Sequence, residues 1–433
     1  MKEKYLKIRN FGPIKDGYKE NGGFMPFSKY VFFCGPQATG KSCVAKLFST
    51  FSWIEKALVR GDYKIDDVTG EETFVVTQDN KVVVYDGKVV TSSQNRFVHQ
   101  FCAFHQLQNY FKPETELHYK GTAFEMHYVN KELSINAIES LDYLRPQIIY
   151  VPAERNLLSV LDNAENVKDL PQSLSSFLSV YSKACKSLKG DIKLPINGFR
   201  FYYDNTGKTA YIADETSSVR ISEASSGLQS LSPMYIALYY LSQQTQMSAE
   251  TIQQNQSNRE KEIVENRIAE LLKDDTLSPT LRQMLIKQAS DVTNKLLLSV
   301  VEEPEQNQFP TSQREVLYRL MALHKGENDQ LVITTHSPYI INYLALAIKA
   351  CSISKICKTA TTMSELGKVV PNDAMIEGRE VTIYQVKEDG SISLLPKYDE
   401  MPSDNNMLNN LLEESNELFN HLLDIEEECQ NTK

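Results

Sequence analysis

The chain has 433 residues, of which 41% are hydrophobic and 24% charged, with a formal net charge of −10. That balance predicts a packed core and argues against a surface that coats nucleic acid indiscriminately. Seven cysteines (34, 43, 102, 185, 351, 357, 429) are scattered and odd in number, without a Cys-x-x-Cys pair, which argues against a disulfide frame and a structural zinc.

In chain order, Tyr5-Leu6-Lys7-Ile8-Arg9 alternates as a half-buried strand does. Asn10-Phe11-Gly12-Pro13 then turns the chain towards a second strand, Tyr30-Val31-Phe32-Phe33-Cys34. This apolar run leads into Gly35-Pro36-Gln37-Ala38-Thr39-Gly40-Lys41-Ser42, the phosphate-loop pattern G-x-x-x-x-G-K-[ST], and Val44, Leu47, Phe48 and Phe51 follow at helical spacing. Strand, loop and helix in register aim the loop amides and the first helical turn at one spot, where a polyphosphate replaces water as their acceptor. Lys41 would neutralise the β- and γ-phosphates, and the Ser42 hydroxyl would ligate Mg²⁺.

Residues 60–135 are rich in Val, Thr, Tyr and Phe, with turns at Asp79-Asn80 and Asp86-Gly87, and predict antiparallel hairpins beside a main sheet. Gln147–Val151 is a compact apolar run, the mark of a strand covered on both faces, and it ends at Pro152-Ala153-Glu154-Arg155. Helical spacing over 156–190 precedes a hairpin of 199–203 with 208–213, then Ser222-Glu223-Ala224-Ser225-Ser226-Gly227-Leu228-Gln229 and a helix to about 243. Gln, Asn, Glu and Lys dominate 245–290 around a thin apolar stripe, which predicts a protruding helical pair: a solvated insertion or a partner-binding arm. Leu296–Val301 and Leu331–Thr335 are further covered strands, delivering Glu302-Glu303-Pro304-Glu305 and His336-Ser337-Pro338. Residues 381–386 and 391–395 flank Asp389-Gly390 as a hairpin, and an acidic helix spans about 405–428.

Apolar strands that end in polar residues at their carboxyl ends predict convergence at one edge of an open parallel sheet. There Glu302 would hold the water shell of Mg²⁺, Glu303 would act on an attacking water, and His336 would stand near a γ-phosphate. The small residues and free amides of Ala224–Gln229 form an anion site that cannot serve the molecule's own loop, so a second nucleotide-bound molecule is its natural client.

This order of phosphate loop, Ser-Ser-Gly-x-Gln segment, Glu-Glu-Pro-Glu and Thr-Thr-His-Ser-Pro resembles the ABC-type ATPases of the recombination-repair and chromosome-maintenance branch. It is similar above all to the bacterial "AAA family" ATPases related to the OLD proteins and to ATPase subunits of the Septu, PARIS and retron phage-defence systems. The phrases Ile8-Arg9-Asn10-Phe11-Gly12-Pro13-Ile14, Tyr150-Val151-Pro152-Ala153-Glu154-Arg155 and Glu302-Glu303-Pro304-Glu305-Gln306-Asn307 carry that likeness, over about residues 1–345 without the two insertions.

The resemblance implies an α/β P-loop fold of ABC type, with a mixed central sheet, an antiparallel β subdomain and a helical lobe bearing a helical insertion. It implies ATP and Mg²⁺ as cofactors and hydrolysis to ADP and phosphate. Gly35 to Cys43, Asn10, Ser225, Ser226, Gly227 and Gln229 would contact nucleotide, and Ser42 and Glu302 the metal. Ser225 and Gly227 would reach the γ-phosphate of the opposite subunit in a head-to-tail homodimer, or a higher even oligomer; Glu303 would activate water and His336 would sense the γ-phosphate. Ala224 and Ser226 depart from the family's Leu-Ser-Gly-Gly. No glutamine ends the strand at 147–151, where Glu154 or Arg155 stands in place of the family's metal-contacting Gln.

The expected divisions are an N-terminal ATPase lobe (1–155), a signature lobe (156–245), an insertion arm (246–292), a second ATPase lobe (293–345) and a C-terminal extension (346–433). Only 97 residues follow His336, and none form an Asp-x-Asp pair, so a nuclease or toxin effector is expected to be a separate chain. Residues 1–60 carry 11 Lys/Arg against 4 Asp/Glu, and 401–433 carry 1 against 8, so a local patch facing nucleic acid stays open. With no apolar run of membrane-span length, and a start that lacks a signal peptide's apolar stretch, the expected location is cytoplasmic with no membrane partner.

Overall fold

Every residue of the Tyr30–Cys34 strand is buried, because the strand lies fourth in a seven-stranded sheet and is covered on both faces. The order across that sheet is Pro146–Val151, Leu296–Glu302, Gln330–Thr335, Tyr30–Cys34, Val381–Val386, Ser391–Leu394 and Gly17–Tyr18. The first five strands run parallel; Ser391–Leu394 returns antiparallel. The computed structural model describes residues 3–138 except 76, 79–80, 83, 86–87 and 90, then 143–161, 167–246, 266–290 except 267 and 274–276, and 294–431. The turns expected at Asp79-Asn80 and Asp86-Gly87, and residues 247–265 of the expected arm, lie outside the described residues.

Alternation along each strand divides the core into two layers. Tyr30, Phe32 and Cys34 face a layer with the helices Gln172–Ser187, Ser226–Thr245, Pro310–Leu323 and Pro338–Ser354. Val31 and Phe33 face the other layer, with the helix Lys41–Arg60 and a five-stranded antiparallel sheet of Glu132–Ala137, Phe124–Val129, Phe111–Lys120, Lys4–Phe11 and Met25–Phe27. Buried Glu55 fastens that helix to the sheet, accepting from the Tyr119 hydroxyl at 2.9 Å and from the Ala123 and Phe124 amides at 2.7 and 3.2 Å. The α/β class, the mixed sheet and the antiparallel subdomain are therefore as expected.

Two placements differ from the sequence expectation. The Val381–Val386 strand, assigned to a C-terminal extension, pairs residue for residue with Tyr30–Cys34 inside the main sheet. Hairpin patterning reveals a strand's existence but not a parallel neighbour brought in by a long crossover. The described part of the 246–292 arm is also less free than a thin stripe suggests. Leu271, Met284 and Leu285 are buried in the layer of the Lys41–Arg60 helix, and Gln288 Nε2 donates to the Tyr143 carbonyl at 2.8 Å.

Candidate nucleotide site

Parallel pairing puts the carboxyl ends of Pro146–Val151, Leu296–Glu302, Gln330–Thr335 and Tyr30–Cys34 on one edge, where α/β sheets bind ligands. The phosphate loop leaves the last of these strands at Gly35, whose φ of 145° lies outside the common range for L-residues; a Cβ there would stand 2.2 Å from the Val386 carbonyl oxygen. Gln37 and Ala38 are exposed, Gly35, Thr39 and Gly40 are buried, and the Thr39 hydroxyl closes the loop on Pro36 O at 3.0 Å. Gly40 is the N-cap of the Lys41–Arg60 helix, so the first-turn amides open towards the loop. Ser42 is half-exposed there, while Cys43 is buried in the core, its thiol pushed up to about 12 by burial.

Lys41 is folded back onto its own loop. Its ammonium donates to Gly35 O at 2.9 Å and Pro36 O at 2.5 Å and lies 3.2 Å from His336 Nδ1. Burial holds its pKa down at about 8, against the pull of Glu303 and other acids nearby. The His336 ring continues the chain, with Nε2 3.0 Å from Glu303 Oε1. Nδ1 also lies 3.0 Å from Gly35 O, so the ring touches the loop carbonyl, the Lys41 ammonium and the Glu303 carboxylate together. The hydrogen bond from His336 draws the Glu303 carboxyl below the ordinary range.

Glu302 is 3% exposed; its Oε2 accepts from the Ala153 amide at 3.4 Å, and its Oε1 has no hydrogen-bond partner among the described residues. An orphaned buried carboxylate oxygen is costly unless a cation or its water shell satisfies it, so the residues present fit Mg²⁺ held with Ser42 and the phosphates. Bound there, the metal would neutralise charge building on the phosphoryl oxygens.

Two further residues position this set. Glu305, two places beyond the acid pair and half-buried, accepts on Oε1 from the Thr335 hydroxyl at 2.7 Å and the His336 amide at 2.8 Å, which fixes the backbone that carries the histidine. Arg155 is 0% exposed, and its guanidinium donates to the carbonyls of Pro152 (3.2 Å), Ser230 (3.1 Å), Glu302 (2.7 Å) and Glu303 (2.6 Å). Burial lowers it to about 10, still charged at neutral pH. Glu303 has φ 42°, a left-handed conformation costing roughly 1–3 kcal/mol in a non-glycine residue. Arg155 on its carbonyl and the bond from its amide to Thr334 O (2.9 Å) hold it there. Arg155 therefore does not stand in for a metal-contacting glutamine, since its donors are spent on backbone carbonyls, and a cation does not ligate Mg²⁺. Glu154 is exposed beside it.

The signature segment begins the helix Ser226–Thr245 with Ser225 as N-cap. Ser225 and Ser226 are exposed, and among the described residues no hydrogen bond joins them to the phosphate loop. Gly227 packs so closely that a Cβ would meet the Asn307 carbonyl oxygen at 2.8 Å, and Gln308 Nε2 donates to Gly227 O at 2.6 Å. Gln229 turns inward, its Nε2 donating to Ser222 O at 3.0 Å. Asn10 Nδ2 instead donates to Glu114 O at 3.3 Å on the Phe111–Lys120 strand, while neighbouring Pro13 and Ile14 border Gly40. Thus Lys41, Glu302, Glu303 and His336 meet at one edge; Ser225, Ser226, Gln229 and Asn10 do not join their hydrogen-bond chain. The sequence places Glu305 in the Glu-Glu-Pro-Glu motif without a role for it and gives Gln308 none, their one signal being their place just after the acid pair.

Phosphate loop, acid pair and histidine on the carboxyl edge of a parallel sheet define a P-loop ATPase. Residues 129–341 match the model of an AAA ATPase domain, a stretch that contains Arg155, the signature segment, the acid pair and His336. Two solved structures are similar: an SMC head bound to the C-winged helix domain of ScpA (9% identity, 92% of this chain and 98% of that one, TM-score 0.35) and the SMC head domain from Thermotoga maritima (10%, 92% and 100%, TM-score 0.32). No curated protein matches the sequence. Among the described residues no helix is long and apolar enough to cross a membrane.

Proposed function

We propose that this ATPase binds Mg·ATP between two copies of itself and that hydrolysis switches a separate protein partner, as the ATPase component of an anti-phage defence system. The observation that carries the reading is a division of labour. The Lys41–His336–Glu303 chain is assembled within one molecule, while the exposed Ser225 and Ser226 at the helix start have no bond to the loop of that molecule among the described residues. A γ-phosphate shared by both would favour the closed pair, and its loss would release it. The defence role and the effector follow from the resemblance of the motif set.

A DNA clamp is the rival reading, and it rests on the N-terminal excess of cations. Several of those are committed: Lys41 to its loop, Lys7 to Glu116 at 2.6 Å, and Lys4 buried with Nζ 5.7 Å from the Phe48 ring. This supports the partner switch over a surface that grips DNA.

Glu303→Gln tests the proposal. Turnover should fall by about 10²–10⁴-fold, and sedimentation with ATP should give a stable dimer that Ser225→Arg dissolves. Wild-type turnover in Glu303→Gln, or a monomer at every ATP concentration, overturns it.

A further inference from the structure

Met407–Asn431 forms one 25-residue helix, most of whose apolar residues beyond its base are exposed. Leu408, Leu411, Leu418, Leu422 and Ile425 keep a heptad register, and Leu412 and Phe419 widen the stripe. Leu408 is buried at the base, but Leu411, Leu418 and Leu422 are 52%, 58% and 61% exposed. Within the same helix lie seven Asp or Glu residues and no Lys or Arg. In this register Glu414 and Glu428 fall at g and Glu426 at e, beside the stripe, so pairing with a second copy would bring like charges together there, whereas a basic helix would meet both the stripe and those flanks with complementary character.

The base of this helix is tied to the nucleotide edge. Met407 N donates to Gln385 Oε1 at 2.9 Å, and Gln385 is the register partner of Cys34, the last residue before the phosphate loop. Asn409 and Asn342 exchange amide hydrogen bonds at 3.1 and 3.2 Å, and Asn342 sits in the first turns of Pro338–Ser354, the helix that follows His336.

We propose that the Met407–Asn431 helix docks a separate protein through a basic amphipathic helix, and that its occupancy is transmitted to the ATP edge through Gln385 and Asn342. The transmission rests on the partner-switch reading; the docking stands without nucleotide.

The test titrates the full chain with a labelled 21-residue peptide carrying Leu at heptad a and d and Lys at e and g, read by fluorescence anisotropy. The control peptide has Glu in place of Lys. The Lys peptide should bind at least tenfold more tightly than the control, and Leu418→Asn with Leu422→Asn should weaken it at least tenfold while basal ATPase turnover is unchanged. Equal binding of both peptides, or unaltered binding by the double variant, overturns the dock. A halved sedimenting mass in the double variant overturns it too, because the stripe would then pair two copies. Saturating peptide should change wild-type turnover and leave Asn342→Ala unaffected. Binding with no change in turnover keeps the dock and overturns the transmission, and Glu303→Gln separately reports whether the ATP switch exists.

Discussion

Lys41 Nζ lies 3.2 Å from His336 Nδ1, across a separation of 295 residues. A triphosphate entering the loop would compete with Gly35 O, Pro36 O and this ring for Lys41, so ATP binding is expected to release the histidine. Lys41, lowered to about 8 by burial, would be raised again by phosphate charge. ATP affinity should be flat below pH of about 8 and fall above it, approaching tenfold per pH unit. Calorimetry in buffers of different ionisation enthalpy should detect proton uptake on binding near pH 9 and almost none near pH 7; equal uptake at both contradicts the linkage. In the nucleotide-free fold the sign is opposite. The unfolded chain, with its lysine at the ordinary 10.5, binds more protons, so this group adds stability as pH rises from about 8.

His336→Ala removes the bond that depresses the Glu303 carboxyl. The acid limb of the kcat profile should move to higher pH, and kcat should fall by about 10²-fold or more. An acid limb that stays in place would mean Glu303 does not set it.

Arg155→Met leaves the carbonyls of Pro152, Ser230, Glu302 and Glu303 without their donor in a dry interior. Unfolding stability should drop by about 3–5 kcal/mol, and the strained turn at Glu303 should relax. Arg155→Lys, which serves fewer carbonyls, should retain the fold and the KM for ATP but lose kcat. A parallel loss of both constants would mark a purely structural role.

Gly227→Ala drives a methyl into the Asn307 carbonyl, so the loop after the acid pair must shift. Turnover should fall while nucleotide affinity of the separate chain is retained, because Gly227 has no bond to its own phosphate loop. Tighter or unchanged turnover would show that the Asn307–Gln308 turn yields freely. Glu302→Gln should raise the Mg²⁺ concentration needed for half-maximal activity at least tenfold, measured by metal titration; an unchanged requirement removes Glu302 from the metal.

Much of the core of this site was legible in the chain because its signals are local. A covered strand followed by a glycine loop, or by paired acids, announces its own carboxyl end, and parallel pairing then aligns Lys41, Glu302, Glu303 and His336. Arg155 was one of two candidates, with Glu154, for the place of the metal-contacting glutamine; its role stayed hidden, since the destination of a guanidinium depends on which distant carbonyls packing brings near. The role of Glu305, present in the motif, escaped for the same reason: its partners, the Thr335 hydroxyl and the His336 amide, lie at the end of the next strand. The apolar positions near 284 read as a weak stripe because only tertiary contact distinguishes a solvated helix from one seated on Lys41–Arg60.

The pairing of Val381–Val386 with Tyr30–Cys34 sets a timetable for synthesis. One flank of the loop-bearing strand has no neighbour until the chain has been made as far as Val381–Val386, tens of seconds later at roughly 5–20 residues per second. During that interval the nascent chain presents a raw hydrogen-bonding border, and Gly35 lacks the Val386 carbonyl it packs against. The flank closes only when Val381–Val386 is made, so the loop's packing against Val386 completes late in synthesis.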